Sequence, residues 1–165
     1  AQSDDQDAQV IPDVWDLHIV GDGPERGAIE QLIASAGPQA VSRIHLLGYK
    51  SGEDLQREVG NARFTVLSSE WRENMPYSGL ESLAAQTPII GARIGGIPEL
   101  VEEGKTGVTF ESGDAVDLLN SMRKCSAVSA SSYSSMQRFC REYVNARCLQ
   151  NKYALRLIDL YERVI

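Results

Sequence analysis

Glu73-Asn74-Met75-Pro76-Tyr77-Ser78-Gly79-Leu80-Glu81 is the stretch whose reading decides the fold. Just upstream, Phe64-Thr65-Val66-Leu67 is a short aromatic and β-branched run of the kind that forms a buried strand. Downstream, Leu80, Leu83 and Ala84 recur at helical spacing, and Pro76 suits the first turn of a helix. The stretch therefore reads as strand, loop and helix, with one carboxylate in the loop and the second about a turn into the helix. Pro76 has no N–H to give, so the first-turn donors are the amides of Tyr77, Ser78 and Gly79, expected to be free and to face an anion at the positive end of the helix dipole. Glu81 repels such an anion but can accept hydrogen bonds from the hydroxyls of an attached sugar. A phosphate site flanked by two hydroxyl acceptors suits a sugar nucleotide. The duller alternative puts Glu81 on a solvated helix face and pairs Glu73 with Arg72 or Arg93.

Outward from this stretch, strands and helices alternate. Trp15 to Val20 is the first strand and stops at Gly21-Asp22-Gly23-Pro24. A helix carrying Ile29, Leu32 and Ile33 on one face follows and ends near Gly37-Pro38. Ile44 to Leu47 is a second strand, closed by Gly48-Tyr49-Lys50. Ser51 to Gly60 is a short helix in which Ser51, three residues before Asp54, sets up a capping pattern. Beyond the central motif, whose helix runs to about Gln86, Pro88 to Gly91 is a fourth strand. Gly95-Gly96-Ile97-Pro98-Glu99 is a loop leading into a short helix, and Gly107 to Phe110 is a fifth strand. Residues 114–165 are helical, as Ala115 to Lys124, Ser132 to Val144 and Ala146 to Ile165, with Ser126 to Ser135 as a loop. Residues 1–14 read as a connector or a truncated helix. The whole, residues 1–165, reads as one α/β domain with a Rossmann-like parallel sheet, helices on both faces and extra C-terminal helices. In a single parallel sheet the Gly21, Gly48, Glu73 and Gly95 loops share one edge, where ligands of such folds bind.

Composition narrows the function. With 42% hydrophobic and 24% charged residues the chain is an ordinary globular domain, and its net charge of -7 argues against a nucleic-acid partner held by phosphate contacts. No apolar run has the length of a membrane span, and no signal-peptide pattern opens the sequence. Cys125, Cys140 and Cys148 lack zinc spacing and read as reduced structural thiols of a cytoplasmic protein. Gly21-Asp22-Gly23 with Gly27 misses the dinucleotide fingerprint by one residue and reads as a tight turn. His18 and His45 lie inside strands and receive no chemical role. Trp71 and Tyr77 read as packing groups.

Ile19 to Pro24, Leu47-Gly48-Tyr49, Ser68 through Glu81, and Gly95 to Leu100 together resemble the retaining glycosyltransferases of the GT-B fold, in particular family 4. The resemblance runs from about residue 15 to the C-terminus, where the last helix with Tyr161 looks like that family's ending. The Glu73–Glu81 spacing matches the family's E-x7-E motif. The resemblance implies that this chain is the donor-binding half of a hexosyltransferase serving glycan, polysaccharide or glycolipid synthesis. In it, Glu73 would be the catalytic residue touching the transferred sugar, and Glu81 would take the ribose hydroxyls. Asn74, Pro76, Tyr77, Ser78 and Gly79 would surround the diphosphate. Tyr49 and Lys50 would meet the base through their backbone, and Gly21 and Gly23 would border the sugar-phosphate pocket. The implied partner is a nucleotide-diphosphate sugar as donor substrate, with no metal and no other cofactor.

The family's acceptor-binding N-terminal domain and its cationic segment would precede residue 1. That domain would supply the acceptor site and a route to peripheral membrane association, and the fragment alone is expected to be inactive. Two departures fall within the match, Ser82 where alanine is common and Gln86 where glycine is usual. An epimerase half-domain on the same fold and a non-catalytic nucleotide-binding module stay open as alternatives, as do uridine, guanosine and adenosine as the base.

Overall fold

The computed structural model describes residues 15–164, so the connector expected at residues 1–14 lies outside them. The chain divides into two compact units at the Lys50–Ser51 junction. The first holds β1 (Leu17–Val20), α1 (Arg26–Ser35), α2 (Pro38–Arg43) and β2 (Ile44–Gly48). β1 and β2 pair in parallel, with Leu17 beside Ile44 and Ile19 beside Leu46. The helix expected to end near Gly37-Pro38 does so, and Pro38 starts another: its fixed φ suits a first turn, and its lack of an N–H is harmless there.

The second unit holds α3 (Gly52–Asn61), β3 (Thr65–Leu67), α4 (Tyr77–Ala84), β4 (Ile89–Ala92), α5 (Ile97–Leu100), β5 (Gly107–Phe110), α6 (Ala115–Ser126), α7 (Ala130–Arg147) and α8 (Gln150–Val164). Its strands form a three-stranded parallel sheet in the order β3-β4-β5. All four residues of β4 are buried, which is why this strand reads as an unbroken apolar run and not as an alternation. Its side chains still alternate between faces. Ile89 packs with Leu83 of α4, Leu100 of α5, and Cys140 and Tyr143 of α7, whereas Ile90 and Ala92 pack with Phe110 and with Cys125 of α6. Helices thus cover both faces of this sheet, in an α/β fold with added C-terminal helices.

Three local expectations change. The strands form two separate ladders instead of one, so the Gly21 and Gly48 turns leave the carboxyl ends of β1–β2, and the Glu73 and Gly95 loops leave those of β3–β4. Ser51 stands at the start of α3 but makes no side-chain cap, and Gly52 follows it at φ +55°. The serine-rich loop shrinks to three residues, because Ser129 caps α7 by accepting from the Ser132 N–H at 3.2 Å.

Both family departures have a structural reading. Ser82 is fully buried, and its hydroxyl donates to the Thr87 carbonyl at 2.7 Å and hydrogen-bonds the Thr65 hydroxyl at 2.8 Å, so no polar atom is stranded. Gln86 sits at φ +63°, a left-handed conformation in which glycine is at ease and other residues are strained.

Candidate functional site

The motif loop is built where the ends of β3, β4 and β5 meet. After β3 the chain turns tightly, with the Glu73 N–H on the Trp71 carbonyl at 2.9 Å. After β4, Gly95 and Gly96 press on that loop, and the Gly96 N–H donates to the Glu73 carbonyl at 2.7 Å. No other residue fits there. A β-carbon on Gly95, which holds φ +55°, would strike the Glu73 backbone, and one on Gly96 would strike the Asn74 carbonyl oxygen. From beyond β5, the Ser112 hydroxyl donates to the Ser69 carbonyl at 3.1 Å. The Ser69 hydroxyl in turn donates to Oε1 of Glu73.

Glu73 is half-buried and, among the described residues, forms no ion pair. The arginine alternative fails here. Arg93 is taken up by Glu111 at 3.3 Å and Asp117 at 3.1 Å, and Arg72 is exposed with no acidic partner among the described residues.

Pro76 is buried and caps α4 from outside, at φ -69° and ψ 122°, one residue earlier than the first-turn position its sequence suggests. Its carbonyl reaches two amides, Gly79 at 3.1 Å and Leu80 at 3.4 Å. The donors left open at this helix start are therefore Tyr77 and Ser78, not the expected three. Gly79 serves packing instead: it is buried, and a β-carbon there would lie 2.5 Å from Leu100 Cδ1. Gly79, Ser82 and Leu83 form the buried face of α4, while Tyr77, Ser78 and Glu81 share its exposed face. Helical side chains lean toward the N-terminus, so Glu81 leans over the turn that carries the two open amides. Asn74 is exposed beside them.

Trp71 and Tyr77 are not packing groups. They are 83% and 81% exposed, at the two ends of the motif loop. Sequence gave no warning, because an aromatic next to a buried strand normally joins the core.

The remaining candidates lie in the first unit, where the structure brings two turns together. The Gly21 N–H donates to the Gly48 carbonyl at 2.9 Å, tying the loop after β1 to the turn that leads into Tyr49 and Lys50. Asp22 accepts the Gly23 N–H at 2.9 Å, which closes the tight turn. Beside it is a cavity of about 260 Å³ bordered by Gly21, Gly23, Arg26, Ile29 and Leu46. Gly27 is an exposed residue inside α1, so the glycine pattern is a turn, not a dinucleotide fingerprint. Tyr49 is 77% exposed and Lys50 half-buried. His18 and His45 stand in register across β1 and β2 with ring centres 5.3 Å apart, and His45 lies 3.5 Å from Asp16. They decorate the strands.

Sequence reading missed Ser69 and Ser112. Their only trace was the position of Ser69 four residues before Glu73, which fits a hydrogen bond once the loop is known to curl.

Comparison with known proteins gives this arrangement its setting. The chain is 33% identical over 110 residues to the sulfoquinovosyl transferase SQD2 of Arabidopsis thaliana, a match covering 65% of this chain and 20% of that protein. It is 36% identical over 98 residues to the N-acetyl-alpha-D-glucosaminyl L-malate synthase of Bacillus anthracis, covering 59% and 24%. The match thus spans only about a fifth to a quarter of these two relatives. Its fold superposes with a TM-score of 0.75 on Anabaena Alr3699/HepE, solved in complex with UDP, at 18% identity over 90% of this chain and 41% of that one. The parallel sheets and the C-terminal helices are those of a GT-B glycosyltransferase domain. Over residues 6–127, well over half its length, the sequence fits the model of the glycosyl transferases group 1, and the chain belongs to that family.

Proposed function

We propose that this chain is the sugar-nucleotide-binding part of a retaining hexosyltransferase. One observation carries the reading: two open amides, Tyr77 and Ser78, begin a helix whose exposed face also bears Glu81, directly after the loop that bears Glu73. Two N–H groups and the positive helix end suit a diphosphate, and the two carboxylates suit hydroxyls on either side of it. Glu73 then accepts from the transferred sugar, Glu81 from the ribose, and Asn74 borders the phosphates. Within the first unit, Gly21, Gly23, Tyr49 and Lys50 are the candidates for donor contact, a base being taken by the Tyr49–Lys50 backbone. The UDP held by Alr3699/HepE supports a nucleoside diphosphate as the ligand class.

Transfer itself is proposed of a longer protein, because the matched relatives extend well beyond this chain. In that protein the leaving diphosphate is stabilised by fixed dipoles and basic side chains without a metal, and the acceptor attacks from the face that the diphosphate leaves. An acceptor-binding N-terminal domain holds the acceptor. Among the described residues no helix is long and apolar enough to cross a membrane. The test is the anomeric outcome of transfer by the full-length protein, read from the product's proton coupling constants. Retention supports the reading, and inversion overturns it.

A further inference from the structure

Glu73 can act on a sugar only if its carboxylate is held in one orientation, and no cation among the described residues holds it. The Ser69 hydroxyl donates to Oε1 of Glu73, and Ser69 is itself fixed from across the sheet, its carbonyl accepting the Ser112 hydroxyl at 3.1 Å. The Glu73 backbone is clamped separately, by the Gly96 N–H on its carbonyl at 2.7 Å. The end of each strand thus contributes one constraint: β3 supplies Ser69, β4 supplies Gly96 and β5 supplies Ser112.

The geometry points to Ser69 as the positioning residue for Glu73, with Ser112 as its support. A carboxylate has two oxygens, and a donor on one of them fixes the rotamer and leaves the other to accept from a substrate hydroxyl. A neutral hydroxyl does this better than an arginine here, because a guanidinium would engage both oxygens and compete with the sugar. Arg93 is kept out by Glu111 and Asp117, which preserves the free oxygen.

The inference rests on the reading of Glu73 given above, and the test separates the two. Ser69→Ala, Ser69→Thr, Glu73→Gln and the Ser69→Ala/Glu73→Gln double variant are compared in the full-length protein. The readouts are kcat, KM for the sugar nucleotide, affinity for the free nucleoside diphosphate, and melting temperature. Losing one hydrogen bond to a charged group lowers kcat about 10- to 100-fold in Ser69→Ala, with KM and diphosphate affinity unchanged. Ser69→Thr, which keeps the hydroxyl, restores the rate. In the Glu73→Gln background Ser69→Ala adds no further loss, as expected of two residues acting through one another. A slow Glu73→Gln variant beside an unimpaired Ser69→Ala variant overturns the role of Ser69 alone. An unimpaired Glu73→Gln variant overturns the reading of Glu73 and this inference with it. Equal losses in rate, diphosphate affinity and melting temperature for Ser69→Ala reduce Ser69 to a structural contact and overturn the inference.

Discussion

The Gly96 N–H donates to the Glu73 carbonyl oxygen at 2.7 Å, so the turn after β4 and the motif loop after β3 hold each other in place. The two glycines matter for their lack of side chains. At Gly96 a single added carbon collides with the Asn74 carbonyl, a backbone atom that cannot swing aside.

Gly96→Ala is therefore expected to displace the motif loop. Overpacking of this kind costs about 1–3 kcal/mol, and chemical denaturation would measure it. Nucleoside diphosphate binding should weaken in the same variant. A stable Gly96→Ala protein with unchanged binding would show that the two loops move independently.

The two carboxylates are expected to divide the donor between them. Glu81→Ala weakens nucleoside diphosphate binding in the full-length protein by roughly 1.5–3 kcal/mol, the range for a hydrogen bond to a charged group. Glu73→Gln leaves that affinity nearly intact and lowers kcat, because its contacts are to the sugar in motion. Calorimetric titration of both variants with the free diphosphate separates these outcomes, and equal losses in the two refute the division.

Gln86 carries strain that a glycine would release. A left-handed conformation costs a side-chain-bearing residue about 1–2 kcal/mol, partly offset by the greater unfolded-state freedom of glycine. Gln86 also accepts a hydrogen bond from Arg141 on the exposed surface, a contact of modest worth. Gln86→Gly should raise stability by about 0.5–1 kcal/mol in urea unfolding. A loss of stability would mean that the Arg141 contact outweighs the backbone term.

The buried thiols give a pH dependence whose sign is fixed. Burial pushes the Cys125 thiol from 9.0 up to about 11 and the Cys140 thiol from 9.0 up to about 12. Above pH 9 the unfolded chain loses these protons while the folded chain keeps them, so the unfolded state binds fewer protons. Stability is full below that point and falls as the pH rises toward the folded values. At pH 8 a thiol reagent should modify exposed Cys148 and spare the other two until the protein unfolds. Rapid labelling of all three in the native protein would contradict the packing of α6 and α7 on the sheet.

Much of this architecture was legible because local and tertiary signals agree. Phe64 to Leu67 and Pro88 to Gly91 are short runs between turn signals, and both form strands, the second buried and the first only half-buried where a buried one was expected. Leu80 and Leu83 mark the packing side of α4. What escaped the sequence is of two kinds. The Pro76 carbonyl claims the Gly79 amide because the helix starts one residue later than the proline suggests, and Ser112 reaches Ser69 from 43 residues away, a partner no local pattern shows. Trp71 was misjudged for the same reason, since an aromatic's exposure depends on what the fold leaves uncovered. The separation into two ladders also lies beyond periodicity, which identifies strands but not their neighbours.

The central claim is that the start of α4 binds a diphosphate, and an amide-resolved NMR titration of this chain tests it most directly. With uridine, guanosine and adenosine diphosphates added in turn, at least one should move the Tyr77 and Ser78 amide signals saturably. Those shifts should exceed that of Gly79, whose N–H is already bonded, and should be lost when the diphosphate is replaced by the nucleoside. The account is contradicted if none of the three moves Tyr77 and Ser78, or if the shifts fall instead on α6 to α8.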